Sequence, residues 1–159
     1  MLLLLLTAIL TAHADPVASI NENFDASSSI PAGWTQKRVA GDKAWYVPSF
    51  NGNNYAAMTG FKGNGPFDQW LISPAIDMSK VSKKVLTFDT KVNGYGSTQS
   101  ALKVFVLTAA DPTTAKTTQL NPTLATAPAT GYSDWANSGE LDLSAFSGII
   151  YIGFEYTSP

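Results

Sequence analysis

Three stretches of this chain alternate apolar and polar side chains with a period of two. From Val85 to Val92, Leu86, Phe88, Thr90 and Val92 share one face, while Val85, Thr87, Asp89 and Lys91 share the other. Leu102, Val104 and Val106 alternate with Lys103 and Phe105. Ile150, Ile152, Phe154 and Tyr156 alternate with Tyr151, Gly153 and Glu155. Successive side chains of an extended strand point to opposite faces, so each run predicts a half-buried strand. No segment beyond residue 14 sustains helical spacing. Turn dipeptides punctuate the chain at Ala32-Gly33, Asn51-Gly52, Asn64-Gly65, Asn93-Gly94 and Ser147-Gly148. Short strands between frequent turns predict an all-β sandwich, in which two antiparallel sheets bury their apolar faces against each other.

Two stretches depart from this pattern. Residues 108–131 hold eight threonines together with Pro112, Pro122 and Pro128. Thr favours strands and Pro interrupts a ladder, so this stretch reads as a long surface connection with one strand near Thr117–Leu120. An interdomain linker is the alternative, but the runs on either side are too short to fold alone. The other stretch is MLLLLLTAILTAHA, residues 1–14. Its apolar run, Leu2 to Leu10, falls well short of the roughly 20 residues that span a bilayer. Followed by Ala12-His13-Ala14, it reads as a signal peptide, although no Lys or Arg precedes the run. The mature chain then starts near Asp15 and forms one domain, residues 15–159. It stops at Tyr156-Thr157-Ser158-Pro159, directly after a strand, which predicts a C-terminally truncated sandwich.

Composition narrows the function. The 159 residues carry 10 Lys and Arg against 12 Asp and Glu, for a net charge of −2. That balance argues against a nucleic-acid partner. Hydrophobic residues make up 45% and charged residues 14%, which predicts a packed core rather than a disordered chain. The absence of cysteine excludes disulfides, thiolate zinc sites and a cysteine nucleophile. The one histidine, His13, lies in the leader, so a mature Ser-His-Asp triad is excluded. The acids Asp89, Glu140, Asp142 and Glu155 form no recognisable catalytic pair, and Gly60-Phe61-Lys62-Gly63-Asn64-Gly65 lacks the helix a phosphate loop requires. The chain therefore reads as no enzyme.

The order of short motifs carries a resemblance. Glu22-Asn23-Phe24-Asp25 is followed by Pro31-Ala32-Gly33-Trp34, Tyr55-Ala56-Ala57-Met58 and Trp70-Leu71-Ile72-Ser73-Pro74-Ala75-Ile76-Asp77. Leu86-Thr87-Phe88, Leu102-Lys103-Val104, Leu141-Asp142-Leu143-Ser144 and Tyr151-Ile152-Gly153-Phe154 complete the series. Over residues 20–156 this resembles the choice-of-anchor J or cleaved-adhesin type of domain, and more distantly MAM domains. The run WLISPAID is its most specific piece. The resemblance implies a jelly-roll β-sandwich that is non-catalytic, secreted or on the cell surface, and often calcium-bearing. Such a module serves adhesion or carbohydrate binding, with an extracellular glycan or surface protein as partner. The alternative is a purely structural spacer or accessory domain of a larger secreted protein or protease. Two departures stand out: Gln69 occupies the position before Trp70 where the family usually has an acid, and a final strand with a Trp-x-Ile-Asp pattern is missing.

Two sets of candidate site residues follow. Calcium takes about six to eight oxygen ligands, and Glu22, Asp25 and Asp68 are the carboxylates a jelly roll could gather for a structural calcium. The bland alternative makes Asp25 a turn cap and Glu22 a solvated side chain. Flat aromatic rings match the C–H faces of sugars, and Asn side chains both donate and accept hydrogen bonds. Tyr46, Asn53, Asn54 and Tyr55 thus form a candidate glycan-contact patch, or else simple turn residues beside a core Trp45. Trp70 reads as core, whereas Trp135 is either exposed or a plug beneath the Thr-rich loop.

Overall fold

The computed structural model describes residues 14–94 and 100–159. Apart from Ala14, the expected signal peptide, including His13, lies outside the described residues. The described chain forms twelve strands. These are β1 (Thr35–Ala40), β2 (Ser49–Phe50), β3 (Asn53–Asn54), β4 (Phe67–Ile72), β5 (Ile76–Asp77), β6 (Val85–Leu86), β7 (Asp89–Thr90), β8 (Ala101–Leu107), β9 (Thr117–Leu120), β10 (Ala136–Asn137), β11 (Leu141–Asp142) and β12 (Ile149–Ser158). The architecture is an antiparallel β-sandwich, as the alternation predicts.

The main sheet runs in the order β1-β4-β12-β8-β9, with β5 also paired to β12. The ten-residue β12 lies at its centre and is hydrogen-bonded to β4 on one side and β8 on the other. Its alternation separates two faces. Ile150 and Ile152 are buried with Val104, Val106, Met78 and Leu143 in the inner core, and Phe154 packs against them. On the opposite face, Trp70, Ile72 and Leu107 are buried with Phe105, Tyr151 and Ala115 packed around them. Trp70 is thus buried, as expected, but on the outer face rather than between the layers. The threonine-rich connection explains how an outer Trp can be only 7% exposed. The Lys37 ammonium on β1 meets Asp111 of that connection at 2.7 Å, which folds residues 108–116 across the outer face. Beyond the fold-over, Thr117–Leu120 forms the expected strand, which the structure places at the sheet edge on β8.

The WLISP run has a local physical reason. After β4 the chain bends toward β5, and Pro74 has no N–H to give to the ladder. Ser73 bridges the gap. Its N–H donates to the Ile152 carbonyl at 2.9 Å, and its hydroxyl accepts the Ile152 N–H at 2.9 Å. The same hydroxyl donates to the Pro74 carbonyl at 2.9 Å. Ser73 is fully buried, so each of these groups would be orphaned without the others. Val17 then runs parallel to β5, accepting the Asp77 N–H and donating to the Ala75 carbonyl.

The second layer differs from expectation. The predicted strand over 85–92 is not continuous: it appears as β6 and β7, which pair separately with β11 and β10. Backbone bonds nevertheless carry one ribbon from Lys84 to Gly94 against residues 131–143. Asp89 opposes Asn137, whereas Leu86 opposes Leu141, so the second strand carries one extra residue between them. The extra residue is accommodated at Gly139, whose φ of +74° is cheap only for glycine. Buried Ser138 stitches the bulge, with its N–H donating to the Phe88 carbonyl at 2.8 Å and its hydroxyl accepting the Phe88 N–H at 3.0 Å. An edge-to-face contact between Phe88 and Phe154, 5.3 Å between centroids, joins the ribbon to the main sheet. Leu143 and Leu86 of the ribbon pack on the same core, and beside it a groove of about 2510 Å³ is lined by residues of both layers.

Gly153 offers a test of this packing. A Cβ there would stand 2.9 Å from Leu107 Cδ1 and 3.0 Å from the Trp70 ring. Overpacking of this kind costs about 1–3 kcal/mol. Gly153→Ala is therefore expected to lower stability by that amount in chemical denaturation, and an unchanged midpoint would contradict the outer-face packing.

Candidate functional site

The candidate calcium ligands are not brought together. The Glu22 carboxylate accepts the Phe24 N–H at 2.6 Å, which fixes the turn in which Phe24 adopts a φ of +63°. Both Asp25 oxygens are engaged as well: Oδ1 accepts the Asn54 N–H at 2.8 Å, and Oδ2 accepts the Asn23 amide at 3.0 Å. This segment sits on the inner side of the main sheet, because Phe24 stacks near Trp34 at 5.5 Å and Trp34 lies 6.4 Å from Phe154. Asp68 lies two residues before Trp70 on β4 and therefore shares the outer face. The sheet itself separates it from the other two. Among the described residues no group of three or more His, Asp or Glu side chains could hold a metal ion. Glu22, Asp25 and Asp68 are therefore not gathered into one set, and Asp25 caps the backbone of Asn54. Gln69 fits the same picture: it is fully buried, and its amide donates to the Ala40 carbonyl, a bond that a carboxylate could not give.

Asp68 has a different neighbour. Glu155 on β12 lies on the same outer face, flanked by Trp70 of β4 and Lys103 of β8. The Lys103 ammonium approaches Glu155 Oε2 only to 3.6 Å, and Glu155 Oε2 and Asp68 Oδ1 are both buried without a hydrogen bond. Burial pushes the Glu155 carboxyl up from its ordinary 4.5, and the charge of Asp68 adds to that against the pull of Lys103. Asp111 contrasts with it: the Lys37 ammonium and the Thr113 hydroxyl hold it down to about 2.

The candidate glycan residues lie at one end of the ribbon. Asn51-Gly52, both at positive φ, close the β2–β3 hairpin, as an Asn-Gly turn should. Tyr46 exchanges both backbone bonds with Ala57, at 3.0 and 2.8 Å, which anchors the hairpin's base. Of the adjacent pair, Trp45 turns in to donate its indole N–H to the Gln69 carbonyl at 3.1 Å, leaving Tyr46 46% exposed. Asn53 is exposed on β3. Asn54 is not free: its N–H is taken by Asp25, and its side-chain amide donates to the Ser27 carbonyl at 3.4 Å. It braces the 25–27 turn rather than offering its amide to a ligand.

Tyr55 leads to residues that the sequence did not single out as ligand contacts. Its ring meets Trp135 edge-on, 5.9 Å between centroids at 80°. Trp135 is 47% exposed and Tyr132 is 66% exposed, so Trp135 is a surface residue and no plug. The Tyr46 phenol is pushed above its ordinary 10.0 by burial first and then by the Tyr55 and Tyr132 phenols beside it. Four aromatic rings from two separate segments therefore gather around one spot and border the inter-layer groove. Half-exposed rings held together in this way are the usual mark of a contact surface. The signal was present in the sequence only as a Trp and a Tyr three apart in an apparent loop. Nothing local in the sequence paired them with a hairpin some eighty residues earlier.

Two outcomes test this geometry. Asp25→Ala removes the cap on Asn54 and should cost about 1 kcal/mol, by the same amount with calcium as with chelator in a melting experiment. For Glu155, a folded-state pKa above the unfolded value means that its stabilising influence is greatest below pH 4.5 and fades as pH rises from there toward the raised value. Glu155→Gln should therefore remove part of the fall in melting temperature on going from pH 4.5 to neutrality. A variant whose pH profile parallels the parent's would show that the carboxylate is not shielded.

No known family model matches the chain, and no curated protein matches it. A solved structure does. The K1 cleaved adhesin domain of Lys-gingipain from Porphyromonas gingivalis W83 superposes with a TM-score of 0.60 at 20% sequence identity, covering 86% of each chain. At that identity the likeness speaks for the fold, and this chain has a cleaved-adhesin-like β-sandwich.

Proposed function

We propose that this chain is a non-catalytic, extracellular adhesion module that binds a glycan through the rings of Tyr46 and Tyr55. Tyr132 and Trp135 extend the platform, and Asn53 offers a hydrogen-bonding edge. The observation that carries this reading is the convergence of four aromatic side chains, three of them about half exposed or more, where a soluble sandwich gains by burying them. Sugar rings present C–H faces that stack on such surfaces and hydroxyls that pair with amides. The adhesin fold supports the assignment to adhesion. Export is supported by the leader-like residues 1–14. Among the described residues no helix is long and apolar enough to cross a membrane.

A second reading is a structural accessory domain of a larger secreted protein. The observation that favours it is that the similar solved structure is one domain of Lys-gingipain. Binding measurements separate the two. On a glycan array, the parent chain should bind a defined subset of sugars, and Tyr55→Ala or Trp135→Ala should weaken that binding by about tenfold or more, the usual cost of truncating a central aromatic anchor. A chain that folds cooperatively but binds nothing on the array would favour the structural role.

A further inference from the structure

The aromatic platform carries a charge that neutral sugar would not use. Lys91, on the strand opposite Trp135, places its ammonium 5.7 Å from the centroid of the Trp135 ring. Four other lysines, at 37, 80, 83 and 103, sit against carboxylates, but Lys91 makes no such ion pair among the described residues. Asp89, two residues earlier, accepts the Asn137 side-chain amide at its Oδ1, 2.8 Å, and forms no ion pair with Lys91. The cation is thus held at the rim of the platform by the ring face and remains available to an incoming anion. A ligand lying on Tyr55 and Trp135 would present its own substituents to that ammonium.

We infer that the platform takes an acidic oligosaccharide, with a sugar carboxylate paired to Lys91 while the ring stacks on Tyr55 and Trp135. The inference rests on the glycan reading above and narrows it to one substrate class. The recognition is divided by chemistry: the aromatic rings supply contact area irrespective of charge, and Lys91 supplies the preference. A charge-assisted pair at a partly desolvated rim is worth about tenfold in affinity.

The test uses the full chain, a panel of uronic-acid and sialic-acid oligosaccharides, and the methyl esters of the same compounds, which keep the ring and lose the charge. In isothermal titration the parent is expected to bind at least one acid about tenfold more tightly than its ester, with the difference shrinking as salt is raised. Lys91→Gln should abolish the difference between acid and ester while keeping the melting temperature, and Lys91→Arg should retain it. Trp135→Ala should weaken acid and ester alike. Equal binding of acid and ester by the parent, or a preference that survives in Lys91→Gln, overturns the acidic-sugar inference and leaves the glycan reading standing. Binding of neither form by a folded chain overturns both.

Discussion

Strand β12 is the constraint on which the other features depend. It is hydrogen-bonded on both sides along most of its ten residues, so its backbone is satisfied without water and both of its faces can be covered. That is why its two sets of side chains meet different fates. Ile150, Ile152 and Phe154 build the core between the layers, while Tyr151 and Gly153 support an apolar patch on the outside. Gly153 lies beneath the Trp70 ring because no larger residue leaves room there. Ser73 lets β4 and β5 both serve as partners of β12 across a bend that would otherwise leave the Ile152 N–H buried and unpaired.

The outer face shows how the sheet uses its connections. A sandwich normally leaves that face polar, yet this one buries a tryptophan on it. The Lys37–Asp111 pair is partly exposed, and its direct contribution is small in the usual way of surface pairs. Its consequence is geometric, because it holds residues 108–116 over Trp70 and Leu107. The same face carries Asp68 and Glu155, whose shielded oxygens belong to the sheet surface and have no part in the aromatic platform. Elsewhere, hydrogen bonds from N–H and hydroxyl donors hold Asp42, Asp77 and Asp142 below the ordinary carboxylate range. Burial drives Glu155 the other way.

The platform is built by a ribbon that is irregular for a reason. Its register slips where Gly139 inserts and Ser138 closes the ladder, and again before Ser133, whose N–H donates to the Val92 carbonyl. Such bulges bend and twist a strand and re-aim its side chains. Here the irregular end carries Tyr132 and Trp135 toward the hairpin that bears Tyr46 and Tyr55. Binding residues placed at the ends of a rigid sheet, on turns and bulges, are a common solution because the scaffold fixes them without having to bury them.

The residue pattern alone determined the strand character of the chain. Period-two alternation in 102–106 and 150–156 settles which side chains share a face, and Thr117–Leu120 is readable because threonine-rich extended residues lie between prolines. Asn51-Gly52 announces its hairpin for the same local reason. Which face is inner is not local. Trp70 is apolar and buried wherever it points, so its sequence cannot say that the connection after β8 covers it from outside. Asp68 follows Trp70 to that side, which removes it from Glu22 and Asp25 although all three look alike as isolated carboxylates. Likewise, Lys91, Tyr132 and Trp135 gain meaning only once the ribbon pairs residues 84–94 with 131–143, because contact across some forty residues of chain is a property of register, and register is set by the whole sheet.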